Sequence, residues 1–63
     1  MDKNDMINAC REAAKEKIKG LFSVMQTSSA TGAHDTECMD RFKKGIESVR
    51  KALALAEQTI KNL

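Results

Sequence analysis

The fold is decided by residues 39–63, MDRFKKGIESVRKALALAEQTIKNL. Apolar side chains recur through this stretch in alternating steps of three and four residues. We call this row the seam, and it comprises Met39, Phe42, Ile46, Val49, Leu53, Ala56, Ile60 and Leu63. A repeat that averages 3.5 residues predicts an amphipathic helix whose apolar side packs along other helices. The seam therefore predicts a helix over residues 36–62, with Asp35 or Thr36 as its N-cap.

A second amphipathic helix is predicted over residues 4–26. Its apolar residues from Ile7 to Met25 recur at an average of about 3.6 residues, which is the period of a straight helix with one buried stripe. Asn4 or Asp2 is expected to cap its start. The intervening residues 27–35, TSSATGAHD, are rich in side chains that compete with helical hydrogen bonds, so they predict a loop.

These elements predict an all-α protein with one domain, an antiparallel two-helix hairpin. Proline, tryptophan and tyrosine are absent from the 63 residues, and the composition lacks the β-branched and aromatic runs of sheets. A chain of this length buries only about 60% of the surface that its unfolded form exposes. Two helices cover each other along one line, so the hairpin is expected to be completed to a four-helix bundle by dimerisation or by a partner.

The mechanism that follows is burial of the seam in a homodimer or against another helical protein. Large apolar side chains of both helices are the expected interface. They are Ile18, Leu21, Phe22, Met25, Met39, Phe42, Ile46, Val49, Leu53, Leu55 and Ile60. The few charges that flank the seam leave the relative orientation of two hairpins open.

Candidate metal or redox residues are Cys10, His34, Asp35 and Cys38. A zinc site would need ligands beyond His34 and Cys38. In a hairpin the two cysteines lie about 25 Å apart along the axis, too far for a disulfide within the chain. Structural thiols are favoured, and an intermolecular disulfide between head-to-tail hairpins is left open. With no catalytic constellation, the sequence predicts no enzyme, metal, cofactor or small-molecule substrate.

The charge balance is ordinary, with eleven basic and nine acidic side chains and a formal net charge of +2. It requires neither a nucleic acid nor an anionic membrane as partner. The longest apolar run, ALALA, is far shorter than the ~20 residues of a membrane span, so a soluble cytoplasmic protein is expected.

The alternative is an RNA- or DNA-binding dimer that uses a basic face of the second helix. That face would comprise Arg41, Lys43, Lys44, Arg50 and Lys51. Asp40 and Glu47 interrupt it, and no aromatic residue lies on the polar side to stack on a base. A solvated helix face is therefore the favoured interpretation.

Two segments carry a resemblance to a known family: CREAAKEKIKGL (residues 10–21), charged and amphipathic, and GIESVRKALALAEQTI (residues 45–60), rich in alanine and leucine. In this pattern the chain resembles the needle co-chaperones of type III secretion systems. The resemblance implies a helical hairpin that pairs with a larger helical-repeat chaperone and keeps the needle subunit from polymerising. In length and architecture the chain is also similar to plasmid copy-control hairpins, which form four-helix dimers and bind paired RNA loops.

Overall fold

Two antiparallel helices form the protein in the computed structural model, which describes residues 1–30, Gly32 and residues 34–63. Helix α1 spans Lys3–Ala30, and helix α2 spans Asp35–Lys61. The Lys3 Nζ donates a hydrogen bond to the Lys61 carbonyl oxygen at 3.3 Å, so the start of α1 lies beside the end of α2. This arrangement confirms the predicted all-α hairpin.

Helix α1 continues to Ala30, four residues beyond its predicted end. The hydroxyl groups of Ser23 and Thr27 donate hydrogen bonds to the carbonyl oxygens of Lys19 and Ser23, at 3.1 and 3.0 Å. Because these hydroxyl groups bond to carbonyl oxygens of the preceding turn, they do not compete with the helical backbone hydrogen bonds, and the helix continues past them. The prediction of a loop that begins at residue 27 was therefore wrong.

The connection between the helices spans only residues 31–34. The predicted loop residues Thr31 and Ala33 lie outside the described residues. Gly32 has a φ of +85°, a conformation that glycine adopts without steric cost, and its N–H donates to the Ser29 carbonyl oxygen at 3.2 Å. Because the chain reverses within four residues, α2 must pack directly against α1.

The two helices begin in different ways. The Asp5 N–H donates to Oδ1 of Asp2 at 2.8 Å, which confirms Asp2 among the two predicted caps of α1. The predicted caps of α2 were wrong, because His34 occupies the N-cap position and its side chain makes no capping hydrogen bond. Asp35 instead lies in the first turn with Glu37, where a negative charge interacts favourably with the helix dipole.

The hairpin is a single layer of two helices. Its Cα atoms extend over 46 × 16 × 8 Å. Within the described part of the chain the buried apolar side chains are Ile7, Cys38 and Ile60, which are 9%, 5% and 8% exposed. Globular domains usually enclose a core between two or three such layers, so neither surface of this layer has a counterpart within the chain.

The Leu21 side chain of α1 lies close against α2 at Gly45. A Cβ atom added there would lie 2.6 Å from Cδ2 and 2.8 Å from Cδ1 of Leu21. Because Gly45 has no side chain, the Leu21 side chain packs directly over the α2 backbone. The residues next in line on the seam, Phe42 and Ile46, flank this contact and are half-buried.

Candidate interaction surface

One side of the hairpin carries a row of residues from each helix. Arg11, Ile18 and Phe22 are spaced by seven and four residues along α1, so they share one side of that helix. On α2 the spacing of Met39, Ile46 and Glu57 has the same effect. We call the surface formed by these six residues the Phe22 face.

Contacts at two points show that both rows border the same side of the hairpin. Phe22 and Met39 line one groove near the connection. Near the termini, the Arg11 Nη2 lies 2.6 Å from Oε1 of Glu57. The Phe22 face therefore runs along most of the length of the hairpin.

The half of this face near the connection exposes large apolar side chains. Ile18, Phe22 and Met39 are 37%, 53% and 66% exposed. The groove beside them is lined by Met25, Cys38 and the small or polar residues of the last α1 turns, with Asp35 as its one charged lining residue. A contiguous exposed apolar cluster of this kind is typical of an interaction surface.

The half near the termini is charged instead. The Arg11 side chain is 55% exposed, while that of Glu57 is 20% exposed. An exposed ion pair contributes only about 0.2–1 kcal/mol, so this contact adds little to the stability of the hairpin. The contact instead fixes positions, because it places a positive charge on α1 and a negative charge on α2 at the same height along the hairpin.

The opposite side of the hairpin, which we call the alanine face, has smaller side chains. A groove there is lined by Cys10, Ala13, Ala14, Lys17, Ser48, Val49, Ala52, Leu53 and Ala56. Further toward the connection, Val24 is 64% exposed and lines a groove with Arg41. Its apolar side chains are shorter than those of the Phe22 face, and Lys17 and Arg41 lie at it.

The predicted interface residues separate into three groups in the structure. Ile60 is buried between the helices, and six others are half-buried there: Leu21, Met25, Phe42, Ile46, Val49 and Leu53. Ile18, Phe22 and Met39 are the exposed members on the Phe22 face. Leu55, 55% exposed, lies on the outer side of α2, away from both grooves.

Sequence reasoning missed four residues that shape these surfaces, Arg11, Val24, Gly45 and Glu57. Val24 falls beside the α1 stripe, one position before Met25, so periodicity gave no signal for it. Gly45 lies between the seam residues Phe42 and Ile46. A glycine inside a strongly periodic helix was the available signal, since it often marks a close backbone approach.

The five basic residues of the alternative nucleic-acid face are all exposed. Helical spacing places Arg50, four residues after Ile46 and seven before Glu57, on the Phe22 face, and it places Lys43 at the rim. Lys44 and Lys51 lie on the outer side of α2. Arg41 lies at the alanine face. The Lys44 Nζ is 3.0 Å from Oδ2 of Asp40, so part of its charge is compensated. These positions distribute the positive charge around α2.

The residues considered for metal or redox chemistry lie at two places, Cys10 in α1 toward the termini and His34, Asp35 and Cys38 at the start of α2. No group of three His, Cys, Asp or Glu side chains within residues 1–30, 32 and 34–63 could hold a metal ion. Both cysteines are free thiols, with Cys10 half-buried and Cys38 buried. Over the same residues, neither helix combines the length and the apolar character needed to cross a bilayer.

Comparisons with protein-family models, with curated protein sequences and with solved structures gave no match to this chain.

Proposed function

We propose that this protein is a non-enzymatic association module, whose uncovered apolar surface completes a helical bundle with a second helical surface. The supporting observation is its accessible surface of 5011 Å². A compact monomer of 7.0 kDa exposes about 4,000 Å². The excess, about 1,000 Å², is close to the roughly 800 Å² that each partner buries in a standard protein interface.

The elongated shape also indicates a surface that a second protein layer could cover. The radius of gyration of the Cα atoms is 14.7 Å, whereas a compact domain of this length has about 11 Å. Adding a second two-helix layer would enclose Ile18, Phe22 and Met39 in a core. Each large apolar side chain that passes from full exposure to burial contributes about 1.5–3 kcal/mol.

The surface could be completed in two ways, by a second copy or by a different protein. The pattern-level resemblance to needle co-chaperones supports the second form, in which the hairpin is the small cytoplasmic partner of a larger helical chaperone. An isolated chain of that kind would be weakly helical and would gain helicity and thermal stability when its partner binds.

Nucleic-acid binding is the alternative, and it makes a different prediction. Affinity for RNA or DNA would fall steeply with salt and would be lost when the five basic residues of α2 are neutralised. The distribution of those residues around α2 favours protein association over this alternative.

The test is molar mass by light scattering after size exclusion, over a hundredfold concentration range with reductant, together with far-UV circular dichroism. A mass of about twice 7.0 kDa supports self-association. A weakly helical monomer supports a different protein as the partner. A fully helical monomer that stays stable at the lowest concentration would contradict the proposal, because its apolar surface would need no cover.

A further inference from the structure

We infer that the Phe22 face is covered by a second copy of this chain, packed face to face with both connections at the same end of a four-helix bundle. The inference rests on the proposed function and deepens it by naming the partner, the face and the orientation. Its two-fold axis runs parallel to the helices, which places α1 of each copy beside α2 of the other.

The Phe22 face is chosen because of its side chains. Ile18, Phe22 and Met39 stand on it at 37%, 53% and 66% exposure. On the alanine face the groove is lined mainly by short side chains and includes Lys17. Covering the Phe22 face therefore removes three large, partly exposed apolar side chains from water.

A second copy is chosen because the face is complementary to itself. The surface that the chain exposes beyond that of a compact monomer approximates one side of a standard interface, so one layer of the same size is enough to cover it. The charges of Arg11 and Glu57 also match. With α1 beside α2 of the other copy, Arg11 faces Glu57 of the second chain while it keeps its own Glu57 at 2.6 Å. The four side chains form a ring of alternating sign around the bundle axis.

The orientation follows from the heights of these residues along the helix. Phe22 and Arg11 lie about 8 Å on either side of the middle of α1. With connections at the same end, the apolar halves of the two faces meet, and so do the charged halves. With connections at opposite ends, Phe22 of one copy would lie on Arg11 of the other. That arrangement would bury the charged half under apolar side chains, which is costly.

Distances between nitroxide labels test the orientation. The native thiols are first removed by Cys10→Ala and Cys38→Ala, and the variant is accepted only if its mass and helicity equal those of the original chain. Labels are then placed singly at two exposed positions, Thr36→Cys near the connection and Asn62→Cys near the termini. Pulsed electron resonance gives the distance between the two copies of each label.

Connections at the same end predict distances of about 20–30 Å for both labels, from interaxial spacings of 8–10 Å plus the label arms. Connections at opposite ends predict more than about 35 Å for both, because the labels then lie near opposite ends of the bundle. Short distances in a species of doubled mass support the inference. Long distances in such a species overturn the orientation, while the proposed association module stands.

Two matched variants test the face. Phe22→Gln and Val24→Gln each replace an exposed apolar residue, on opposite faces, with a good helix former, so both variants are expected to keep the helicity of the original chain. We expect Phe22→Gln to raise the dimer dissociation constant at least tenfold and Val24→Gln to change it less than twofold. The reverse result would assign the alanine face and overturn the inference.

If the chain proves to be a monomer, its helicity distinguishes the proposed association module from the proposed pairing of two copies. A weakly helical chain that stays monomeric at every concentration overturns the second copy as occupant and leaves association with a different protein. A stable, fully helical monomer overturns both.

Discussion

Replacing glycine with alanine has a different expected effect at Gly20 and at Gly45, although both lie inside helices. Beyond the chain neighbours and the local helix backbone, no atom lies within 4 Å of a Cβ built at Gly20, whereas Leu21 side-chain atoms lie within 3 Å of one built at Gly45. The helix propensity gained by alanine is the same at both positions, about 1 kcal/mol. The pair therefore isolates the contribution of the close helix contact.

Gly20→Ala is expected to stabilise the protein. The substitution reduces the freedom of the unfolded chain and meets no neighbour, so we expect a gain of about 0.5–1 kcal/mol. Thermal unfolding followed by circular dichroism at fixed concentration should show a Tm higher by about 4–8 °C per kcal/mol. A lower Tm would mean that this exposed position is covered in solution.

Gly45→Ala is expected to destabilise the protein by about 1 kcal/mol. Leu21 must move, and overpacking of this kind costs about 1–3 kcal/mol, more than the gain in helix propensity. The same thermal unfolding measurement applies, with Gly20→Ala as the control. Equal stabilisation by both variants would show that the helices separate at Gly45 without cost, in disagreement with the packing of Leu21.

At the level of the helix, α2 offers a matched pair of leucines, one on the seam and one off it. Leu53 is half-buried against α1, whereas Leu55, two residues later, is 55% exposed on the outer side. Both are leucines in the same alanine-rich stretch, with the same helix propensity. An aspartate at either position therefore differs only in what surrounds it.

Leu53→Asp is expected to abolish assembly and most of the helicity, because an unpaired carboxylate would enter the contact between the helices. Leu55→Asp should stay within about 0.5 kcal/mol of the original protein, as surface substitutions usually do. Far-UV circular dichroism and mass in solution measure both effects. Equal behaviour of the two variants would show that the assignment of the seam is wrong.

Periodicity predicted the helices well and their ends less well. The predicted range of α2, residues 36–62, differs from Asp35–Lys61 by one residue at each end, because a long uninterrupted apolar repeat leaves few alternatives. The end of α1 was missed because Ser23 and Thr27 satisfy their hydroxyl groups inside the helix. Intrinsic propensity treats such residues only as competitors of the helix.

The division of the seam into covered and exposed residues could not be predicted from the repeat. Met39 and Ile46 belong to the same heptad column, yet Met39 is 66% exposed and Ile46 is half-buried. The difference depends on where α1 lies, which the α2 sequence does not encode. For the same reason the Arg11–Glu57 contact, 46 residues apart in sequence, was not predicted.

For the whole molecule, stability is expected to depend on protein concentration. If a second copy covers the Phe22 face only in the folded state, the Tm should rise over a hundredfold increase in concentration. In Phe22→Gln the Tm should be nearly independent of concentration over the same range. Thermal unfolding by circular dichroism measures both, and a constant Tm in the original protein would contradict self-association.

The four-residue connection also determines the order in which the contacts between the two helices form during folding. Contacts next to it need the closure of only a short loop, which takes about 10–100 ns for ten residues, whereas Arg11–Glu57 and Lys3–Lys61 join residues 46 and 58 apart. The hairpin should therefore close from Gly32 toward its termini, like a zipper. The apolar half of the Phe22 face is then complete before the charged half exists. In the proposed dimer, the ring of Arg11 and Glu57 is therefore expected to form after the contacts of Phe22 and Met39.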